Sequence, residues 1–424
     1  MVHRVRLGGY WGGTVLPAGG VGPGHLARRG RAGTRPAEDG VRLLFVTQRW
    51  PCPPRGGGLI KTWALVRFLE EHLQVEVVSA DSIGDAGSPG VFPRPRGPGT
   101  LLASYAAGLP LSIYRNCSPA LARAVLQRLD RGVDAVLADH IYMAQYVPDD
   151  FCGRKLLHLH NVESLLWRRE AALERGPLRR WAIALEARRL RRYEEAQARR
   201  FDRVFAVSEE ERRELLASGL PEGRTGVLAN VPAPDLLERP PLRYEQGSPM
   251  ALYLGTLSWR PNERGLRAFL PQGLPALRRR VPQATLTVAG GGAPRWLAAL
   301  ARSLQGLHLR GPVDDAEAES LYRAARAFVE PVLGGAGTKV KVLNALARGL
   351  PVVATPDGAR GLEVVPGRHL LLAEGPEELA EAAASLLGSP SRWQDLSEAG
   401  RELVRRLYVP EVAFRPLLEE LGLT

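Results

Sequence analysis

One glycine-rich segment carries the strongest chemical signal in the sequence, GGAGTKVK at residues 334–341. It follows an apolar run and precedes a predicted helix from Val340 to Arg348. Small residues let the backbone approach an anion, amides at a helix N-terminus donate hydrogen bonds, and lysine adds positive charge. The pattern predicts a phosphate-binding loop; the structural alternative is a tight turn with a surface lysine pair. The spacing does not match the GxxxxGK[ST] loop of nucleotide triphosphatases, so ATP hydrolysis is a poor fit.

Two other glycine runs are weaker signals. The run at residues 56–58 lies at the first predicted strand-to-helix turn, and Lys61 falls in the first turn of the following helix. Such a run lets a ligand approach the backbone, but a flexible connector has the same composition. The run at residues 290–292 follows the predicted strand Thr285 to Ala289, and we assign to it no role beyond lining a nucleotide pocket.

A histidine stands at the end of one apolar strand. His160 and Asn161 end the run that begins at Lys155, and Glu163 follows at the start of a helix. Parallel sheets present ligand-binding groups at the carboxyl ends of their strands. Most single histidines at such positions are structural, so the position alone leaves its role open.

The elements that position these residues alternate between short apolar strands and helices. This alternation predicts parallel sheets covered by helices on both faces, an α/β architecture. The predicted strands are 41–47, 75–80, 133–138, 155–160, 204–207 and 226–229, then 251–257, 285–289, 307–310, 327–332, 351–355 and 370–373. Two doubly wound domains in tandem, facing a central cleft, account for the two series.

The predicted domain boundary is the proline-rich, polar stretch between Val231 and Pro249, which reads as a linker. The predicted division is a disordered basic tail at 1–40, an N-terminal domain at 41–232, a linker at 233–249, a C-terminal domain at 250–405, and a helix at 406–424 that packs back on the N-terminal domain.

The chain has a formal net charge of +12, which implies an acidic partner: nucleic acid, an anionic membrane or a phosphorylated substrate. The basic residues are spread without a recognised nucleic-acid motif, so nucleic-acid binding is not expected. Three separated cysteines fit neither a zinc site nor a disulfide framework and indicate a reducing cytoplasm. No apolar run reaches the length of a transmembrane helix.

The longest predicted helical segment, residues 162–200, combines an apolar stripe with many arginines. Such a segment can lie on an anionic membrane, with its arginines reaching the headgroups. A solvated surface helix with Glu–Arg pairs at helical spacing is the alternative. The apolar positions are Trp167, Leu173, Trp181, Ile183, Leu185, Leu190 and Tyr193.

Several ordered segments together resemble glycosyltransferase family four, in the branch of bacterial exopolysaccharide and surface-glycan synthesis. The segments are PCPPRGGGLIKTWALVRFLE, LHLHNVESLLWRR, YEEAQARRFDRVFAVSEEE, YLGTLSWRPNERGLRAFL and GGAGTKVKVLNALARGLPVVAT. The resemblance covers roughly Val41 to Tyr408. It implies a GT-B fold of two Rossmann-like domains, with the acceptor held by the first and a nucleoside-diphosphate sugar by the second.

The resemblance also implies a role for each site residue. The donor diphosphate would meet the glycine loop, and the loop from Gly255 to Asn262 would add Arg260. His160 would approach the sugar and the diphosphate from the opposite wall. The implied catalytic residues are His160, Lys339 and Arg260; the implied donor-binding residues are Gly255, Gly335, Gly337, Thr338, Lys341 and Asn344; the implied acceptor-side loop carries Gly57, Gly58 and Lys61.

One position departs from the pattern of that family. Two glutamates eight positions apart are usual there, and the second hydrogen-bonds the ribose of the donor. Ala336 and Asn344 stand at these positions here. Because a charge-assisted hydrogen bond is about twice as strong as a neutral one, Asn344 is expected to weaken donor binding by about 1 kcal/mol.

The expected reaction is metal-independent transfer with retention at the anomeric carbon, using no cofactor. Lys339 and Arg260, supported by Lys341, would stabilise the leaving diphosphate. The expected acceptor is a glycan or a lipid-linked saccharide, and the expected location is cytoplasmic or peripheral at the inner face of the membrane. A nucleotide-sugar epimerase and a degenerate scaffold or glycan-binding protein remain the alternatives.

Overall fold

The computed structural model describes residues 40–53, 56–81, 93–94 and 97–423. The predicted basic tail lies outside the described residues except for Gly40. Two six-stranded sheets form, and every pair of adjacent strands in both sheets is parallel. The prediction of two tandem Rossmann-like α/β domains is confirmed.

The N-terminal sheet has the strand order β2-β1-β3-β4-β5-β6. Its strands are β1 (Arg42–Thr47), β2 (Gln74–Ser79), β3 (Ala135–Asp139), β4 (Arg154–His158), β5 (Arg203–Ala206) and β6 (Thr225–Val227). Its helices are α1 (Gly57–Glu70), α2 (Pro98–Ala106), α3 (Leu111–Arg115), α4 (Pro119–Leu129), α5 (Glu163–Leu173), α6 (Pro177–Ala198) and α7 (Glu209–Ala217). The order reverses between β1 and β3, so the loops after these two strands open a crevice where ligands bind in such sheets.

The C-terminal sheet has the order β12-β11-β10-β7-β8-β9. Its strands are β7 (Met250–Leu254), β8 (Thr285–Ala289), β9 (Leu307–Leu309), β10 (Ala327–Glu330), β11 (Val352–Ala354) and β12 (Leu371–Leu372). The helices are α8 (Arg260–Arg280), α9 (Arg295–Ser303), α10 (Asp315–Ala324), α11 (Val340–Arg348), α12 (Pro356–Ala359), α13 (Pro376–Gly388), α14 (Pro390–Leu407), α15 (Pro410–Ala413) and α16 (Arg415–Glu420). Here the order reverses between β7 and β10, and the loops that follow these strands are the two predicted donor loops.

The long helical segment predicted for residues 162–200 is two helices, α5 and α6, packed against each other. The break falls at Gly176 and Pro177, where proline occupies the first turn of α6. The residues of its predicted apolar stripe are divided between the core and the surface. Leu190 is fully buried, whereas Trp181 is 68% exposed.

The last two helices of the chain, α15 and α16, cross back to the N-terminal domain. Phe414, Leu417 and Leu418 belong to a core cluster with residues of α1 and of the N-terminal sheet. The ring of Phe414 lies 5.7 Å from that of Phe68, centroid to centroid. This contact ties the end of the chain to the first domain.

Candidate functional site

The predicted phosphate loop lies between β10 and α11, and its backbone requires glycine. Gly334, Gly335 and Gly337 have φ angles of 81°, 92° and 66°, a region that residues with a Cβ atom rarely adopt. Lys339 precedes the first turn of α11 and is 5% exposed. Its ammonium donates hydrogen bonds to the carbonyl oxygens of Gly337 at 2.8 Å and Ala336 at 3.3 Å. Burial lowers the pKa of Lys339 to about 8.

Lys341 lies beneath the loop in a network of oxygen atoms. Its Nζ is 2.8 Å from a carboxylate oxygen of Glu330, 2.8 Å from Asn262 Oδ1 and 3.0 Å from the hydroxyl of Tyr253. Two of these contacts are hydrogen bonds and the third, to Glu330, is an ion pair. Burial lowers the pKa of Lys341, while the Glu330 carboxylate opposes that shift. Lys341 therefore joins β7, α8 and β10 below the two predicted donor loops.

Gly255, in the loop after β7, leaves space above this network. A Cβ atom at Gly255 would lie 3.2 Å from the Tyr253 hydroxyl and 3.4 Å from Lys341 Nζ. The first distance is shorter than ordinary van der Waals contact, and the second is at its lower limit. The glycine therefore leaves the backbone of this loop close to the buried lysine, as a closely held ligand requires.

Arg260 begins α8 and points toward the N-terminal domain. Its guanidinium lies 3.4 Å from a carboxylate oxygen of Glu174 and 3.9 Å from one of Glu170, both in or next to α5. Arg264, one turn later, pairs with Glu170 at 3.1 Å. Arg260 thus makes interdomain ion pairs, apart from the lysines of the glycine loop. Its predicted role on the diphosphate stays a prediction.

Asn344 is partly buried in α11, and its side-chain oxygen accepts a hydrogen bond of 2.8 Å from the backbone N–H of Ala233. The contact joins α11 to the segment predicted as linker. The side chain of Asn344 therefore accepts from the backbone of this segment, and the ribose contact stays a prediction.

On the opposite wall of the cleft, a buried carboxylate organises the N-terminal half of the site. Asp139, at the end of β3, accepts hydrogen bonds from His158 Nδ1 at 2.6 Å, His160 Nε2 at 2.8 Å, Thr62 Oγ1 at 2.8 Å and Thr47 Oγ1 at 3.2 Å. Burial alone would raise its pKa, but His160 and His158 hold the pKa well below its usual value. Asp139 is therefore ionised and accepts from all four.

This arrangement fixes the orientation of His160. Because Asp139 only accepts, Nε2 of His160 carries the proton, and Nδ1 faces Gly58. A Cβ atom at Gly58 would lie 3.6 Å from that Nδ1, and one at Gly57 would lie 3.3 Å from Val340 Cβ. The predicted acceptor-side loop therefore contacts both His160 and the start of α11.

Lys61 supports the wall from inside. It is fully buried and donates a hydrogen bond to the carbonyl oxygen of Leu228. Burial lowers its pKa to about 7, while the charges of Asp139 and Glu211 oppose this shift. Lys61 is therefore a positioning residue below the cleft surface.

Asp139, His158 and His160 have the composition of a metal site, and their ligand atoms lie within 4.8 Å of one another. Burial lowers the pKa of His158 to about 3, so its neutral ring donates from Nδ1 to Asp139. The Asp139 oxygen that would bind a cation already accepts from both imidazoles, and the Lys61 charge acts on the same carboxylate. Hydrogen bonding explains the cluster, and the absence of a metal requirement stays a prediction.

The two walls meet across the cleft. The N–H of Gly337 donates to Glu211 Oε1 at 2.9 Å, and Asn230 donates to the Thr338 carbonyl at 3.2 Å. Arg169 donates to the carbonyl of Gly335 at 3.0 Å. The structure therefore brings the glycine loop together with residues of the N-terminal domain.

Sequence reasoning missed several residues of this site, among them Asp139, Glu330, Glu211 and Asn230. Asp139 and Glu330 each end a buried apolar strand. A charged residue in that position lies at the carboxyl edge of the sheet, and the sequence alone shows this pattern. Glu211 and Asn230 carried no comparable signal. Their importance depends on contacts with residues more than 100 positions away.

Comparisons with known proteins show similarity to glycosyltransferases. Residues 248–389 match the family model of glycosyl transferases group 1. The matched segment contains both predicted donor loops and α11. The chain is 30% identical over 146 residues to a phosphatidyl-myo-inositol mannosyltransferase of Mycobacterium leprae, which is 34% of this chain and 39% of that protein. The chain spans less than half the length of the curated relatives it matches.

Solved structures share the fold over most of the chain. Sucrose-phosphate synthase of Thermosynechococcus elongatus superposes with a TM-score of 0.64 at 19% identity, covering 90% of this chain and 99% of that one. HepE of Anabaena, in complex with UDP and glucose, superposes with a TM-score of 0.56 at 16% identity and the same coverage. At these identities the likeness establishes the GT-B fold.

Proposed function

We propose that the protein is a retaining glycosyltransferase that moves a sugar from a nucleoside-diphosphate sugar to a glycan or lipid-linked acceptor. The observation that carries the proposal is the pairing of the glycine loop, with its buried Lys339, against the Asp139–His160 pair. The group 1 match over the C-terminal domain supports it. A second HepE structure, in complex with UDP-glucose, holds a nucleoside-diphosphate sugar on a protein of the same fold.

In this mechanism the acceptor oxygen attacks the anomeric carbon as the bond from that carbon to the phosphate oxygen breaks. The proton of the acceptor passes to the departing phosphate oxygen on the same face, so the configuration is retained. The loop amides and Lys339 stabilise the negative charge that develops on the diphosphate. His160, oriented by Asp139, is placed to hydrogen-bond the sugar. Domain closure excludes water.

We expect donor hydrolysis to test the mechanism without knowledge of the acceptor. A thermal-shift titration with UDP, GDP, ADP and their common sugar conjugates identifies the nucleotide; saturation at about 100 times Kd stabilises the protein by about 2.7 kcal/mol. Slow hydrolysis of that conjugate, followed by proton NMR, is expected to release the sugar first with the anomeric configuration of the donor.

Release of the inverted anomer would contradict retention, and an isomerised intact conjugate would indicate an epimerase. Asn344→Glu is the informative variant, because glutamate restores the charged acceptor while keeping an oxygen near Ala233. We expect it to bind the donor more tightly. If nucleotides raise the melting temperature of Asn344→Glu but not that of the wild type, the protein is a degenerate transferase.

Peripheral contact with an anionic membrane is part of the proposal. None of the helices in the described part of the chain combines the length and apolarity needed to cross a bilayer. The start of α6 instead presents Leu178, 84% exposed, and Trp181, 68% exposed, beside the exposed Arg179. Apolar side chains interleaved with arginine suit the boundary between headgroups and acyl chains.

The membrane contact predicts that Leu178→Glu/Trp181→Glu loses binding to phosphatidylglycerol vesicles by at least about tenfold, since each side chain contributes about 1.5–3 kcal/mol when buried. Co-sedimentation measures the loss. The matched control is Val365→Glu/Leu372→Glu, which changes two exposed apolar residues of the C-terminal domain. Equal binding by the two double variants would rule out α6 as the contact surface.

A further inference from the structure

Glu211 is a buried carboxylate of the N-terminal domain that reaches across the cleft. It lies in the first turn of α7 and is 2% exposed. Its Oε1 accepts a hydrogen bond of 2.9 Å from the backbone N–H of Gly337 in the glycine loop. Its Oε2 has no hydrogen-bond partner among the residues that the structure describes.

The local sequence favours a different use of this side chain. Ser208 and Glu211 have the spacing of a capping box, in which the glutamate folds back to the start of its own helix. Half of that arrangement is present, since Ser208 Oγ accepts from the N–H of Glu211. The carboxylate instead extends to Gly337. The interdomain contact therefore replaces a local one.

The position that Glu211 contacts is a ligand position of the proposed donor site. The Gly337 amide lies just before Lys339 at the N-terminus of α11, where amide donors and positive charge favour an anion. N-terminal groups also fill the surrounding space: a Cβ atom at Gly337 would lie 2.5 Å from Asn161 Oδ1 and 3.3 Å from the His160 carbonyl oxygen. A diphosphate cannot reach this amide while Glu211 and its neighbours remain in place.

We propose that Glu211 occupies the phosphate position at Gly337 while the two walls of the cleft are in contact, and that it must give up this amide when the donor binds. The proposal rests on the proposed function, and it names a regulation of that site. Carboxylate and phosphate are anions that compete for one donor, so the contact holds the domains closed while it opposes the substrate.

The competition has a pH dependence whose sign follows from the surroundings of Glu211. The groups that act on it are the amides of Gly337 and Val162 and the charges of Lys339, Arg169 and Lys61. Burial nevertheless raises the pKa of Glu211 to about 7. The protonated carboxyl repels a diphosphate less than the carboxylate does, so donor affinity falls as the pH rises above about 7.

The lysines also lower the donor affinity as the pH rises, because Lys61 and Lys339 have lowered pKa values and lose their positive charge. The comparison of variants isolates the effect of Glu211. A nucleotide sugar is the appropriate probe, since both its phosphates are diesters. Free UDP carries a terminal phosphate whose second pKa is about 6 and would titrate in the same range.

The test measures the affinity of UDP-glucose, GDP-mannose and ADP-glucose for Glu211→Gln and Glu211→Ala by calorimetry at about pH 6 and about pH 8. Gln retains the oxygen that accepts from Gly337 but removes the charge. We expect Glu211→Gln to bind the donor about tenfold more tightly than the wild type near pH 8, and Glu211→Ala at least as tightly. Near pH 6 the wild type and Glu211→Gln are expected to converge.

The matched control is Glu209→Gln, which removes a carboxylate from the same helix turn, one that pairs with Arg212. It is expected to bind as the wild type does. If Glu211→Gln binds the nucleotide sugar no more tightly than Glu209→Gln does, the proposal about Glu211 is wrong, but the proposed donor site still stands. If none of the three nucleotide sugars binds the wild type or any variant, the proposed function itself fails.

Each variant is first checked for folding by thermal unfolding. Exchange of the Gly337 amide with deuterium gives a second readout that does not need a donor. Loss of its partner in Glu211→Ala is expected to speed this exchange relative to Glu209→Gln. Unchanged exchange in a folded Glu211→Ala protein would contradict the contact.

Discussion

Lys339→Ala is expected to lower kcat/KM by about 100- to 1000-fold, the range measured when one preorganised donor to a developing charge is removed. Lys339 is the buried cation of the glycine loop, and it also holds the carbonyl oxygens of Ala336 and Gly337. Its loss removes the positive charge that would stabilise the leaving diphosphate. It also removes the hydrogen bonds that hold the backbone of the glycine loop. The measurement is initial-rate kinetics of donor hydrolysis with donor binding followed in parallel.

The chain offers a matched control for this variant. Lys155 lies at the amino end of β4, the end of that strand away from the cleft, and its ammonium donates to the carbonyl oxygen of Asp149. Lys155→Ala therefore makes the same chemical change away from the cleft, and its activity is expected to stay near that of the wild type. Near-wild-type turnover of Lys339→Ala at saturating donor would remove Lys339 from the mechanism.

Lys339→Arg tests whether charge or shape matters more. Arginine keeps the positive charge but replaces a compact ammonium with a planar fork. The ammonium of Lys339 fits against two carbonyl oxygens within a loop whose backbone depends on three glycines. We expect Lys339→Arg to recover part of the activity lost in Lys339→Ala.

Much of the fold and part of the site followed from the sequence. Strands such as β8, at residues 285–289, and the helix at 340–348 have the predicted bounds, because buried apolar runs and a glycine loop leave few alternatives. The break between α5 and α6 was missed, although a glycine followed by a proline, here Gly176 and Pro177, is typical of the start of a new helix.

The contacts between distant residues did not follow from the sequence. Lys339 and Lys341 look equivalent there, two residues apart, yet one folds against its own loop and the other lies on Glu330. Which lysine meets a ligand depends on where β10 places a carboxylate. Arg260 illustrates the same limit, since its partner is Glu174 in the other domain.

The second large effect is expected at Asp139, where Asp139→Ala should lower the free energy of unfolding by several kcal/mol, because each buried donor left without an acceptor costs about 1–3 kcal/mol. The carboxylate is 1% exposed and accepts from His158, His160 and two threonines. Without it, the Lys61 charge is left in the interior without this counterion. Urea unfolding measures the change.

The pH dependence of this stability distinguishes the ionised carboxylate from a neutral one. A carboxyl whose pKa is lower in the folded protein stabilises it above the unfolded pKa of about 3.9, and the contribution is lost as the pH falls through the folded value. Because the pKa of Asp139 is held well below its usual value, the difference between wild type and Asp139→Asn should persist through mildly acidic pH. A difference that disappears near pH 5 would contradict the ionised state.

A double-mutant cycle then separates the structural role of Asp139 from its role in orienting His160. His160→Ala alone should lower kcat with a smaller loss of stability, since its side chain is 16% exposed. If Asp139 acts on turnover through the imidazole, Asp139→Asn should lower kcat much less in the His160→Ala background than in the wild type. Asp134→Asn, at the exposed start of the same strand, controls for the loss of a carboxylate. Fully additive effects on kcat would mean that Asp139 acts on the reaction independently of His160, through the scaffold that it shares with His158 and the two threonines.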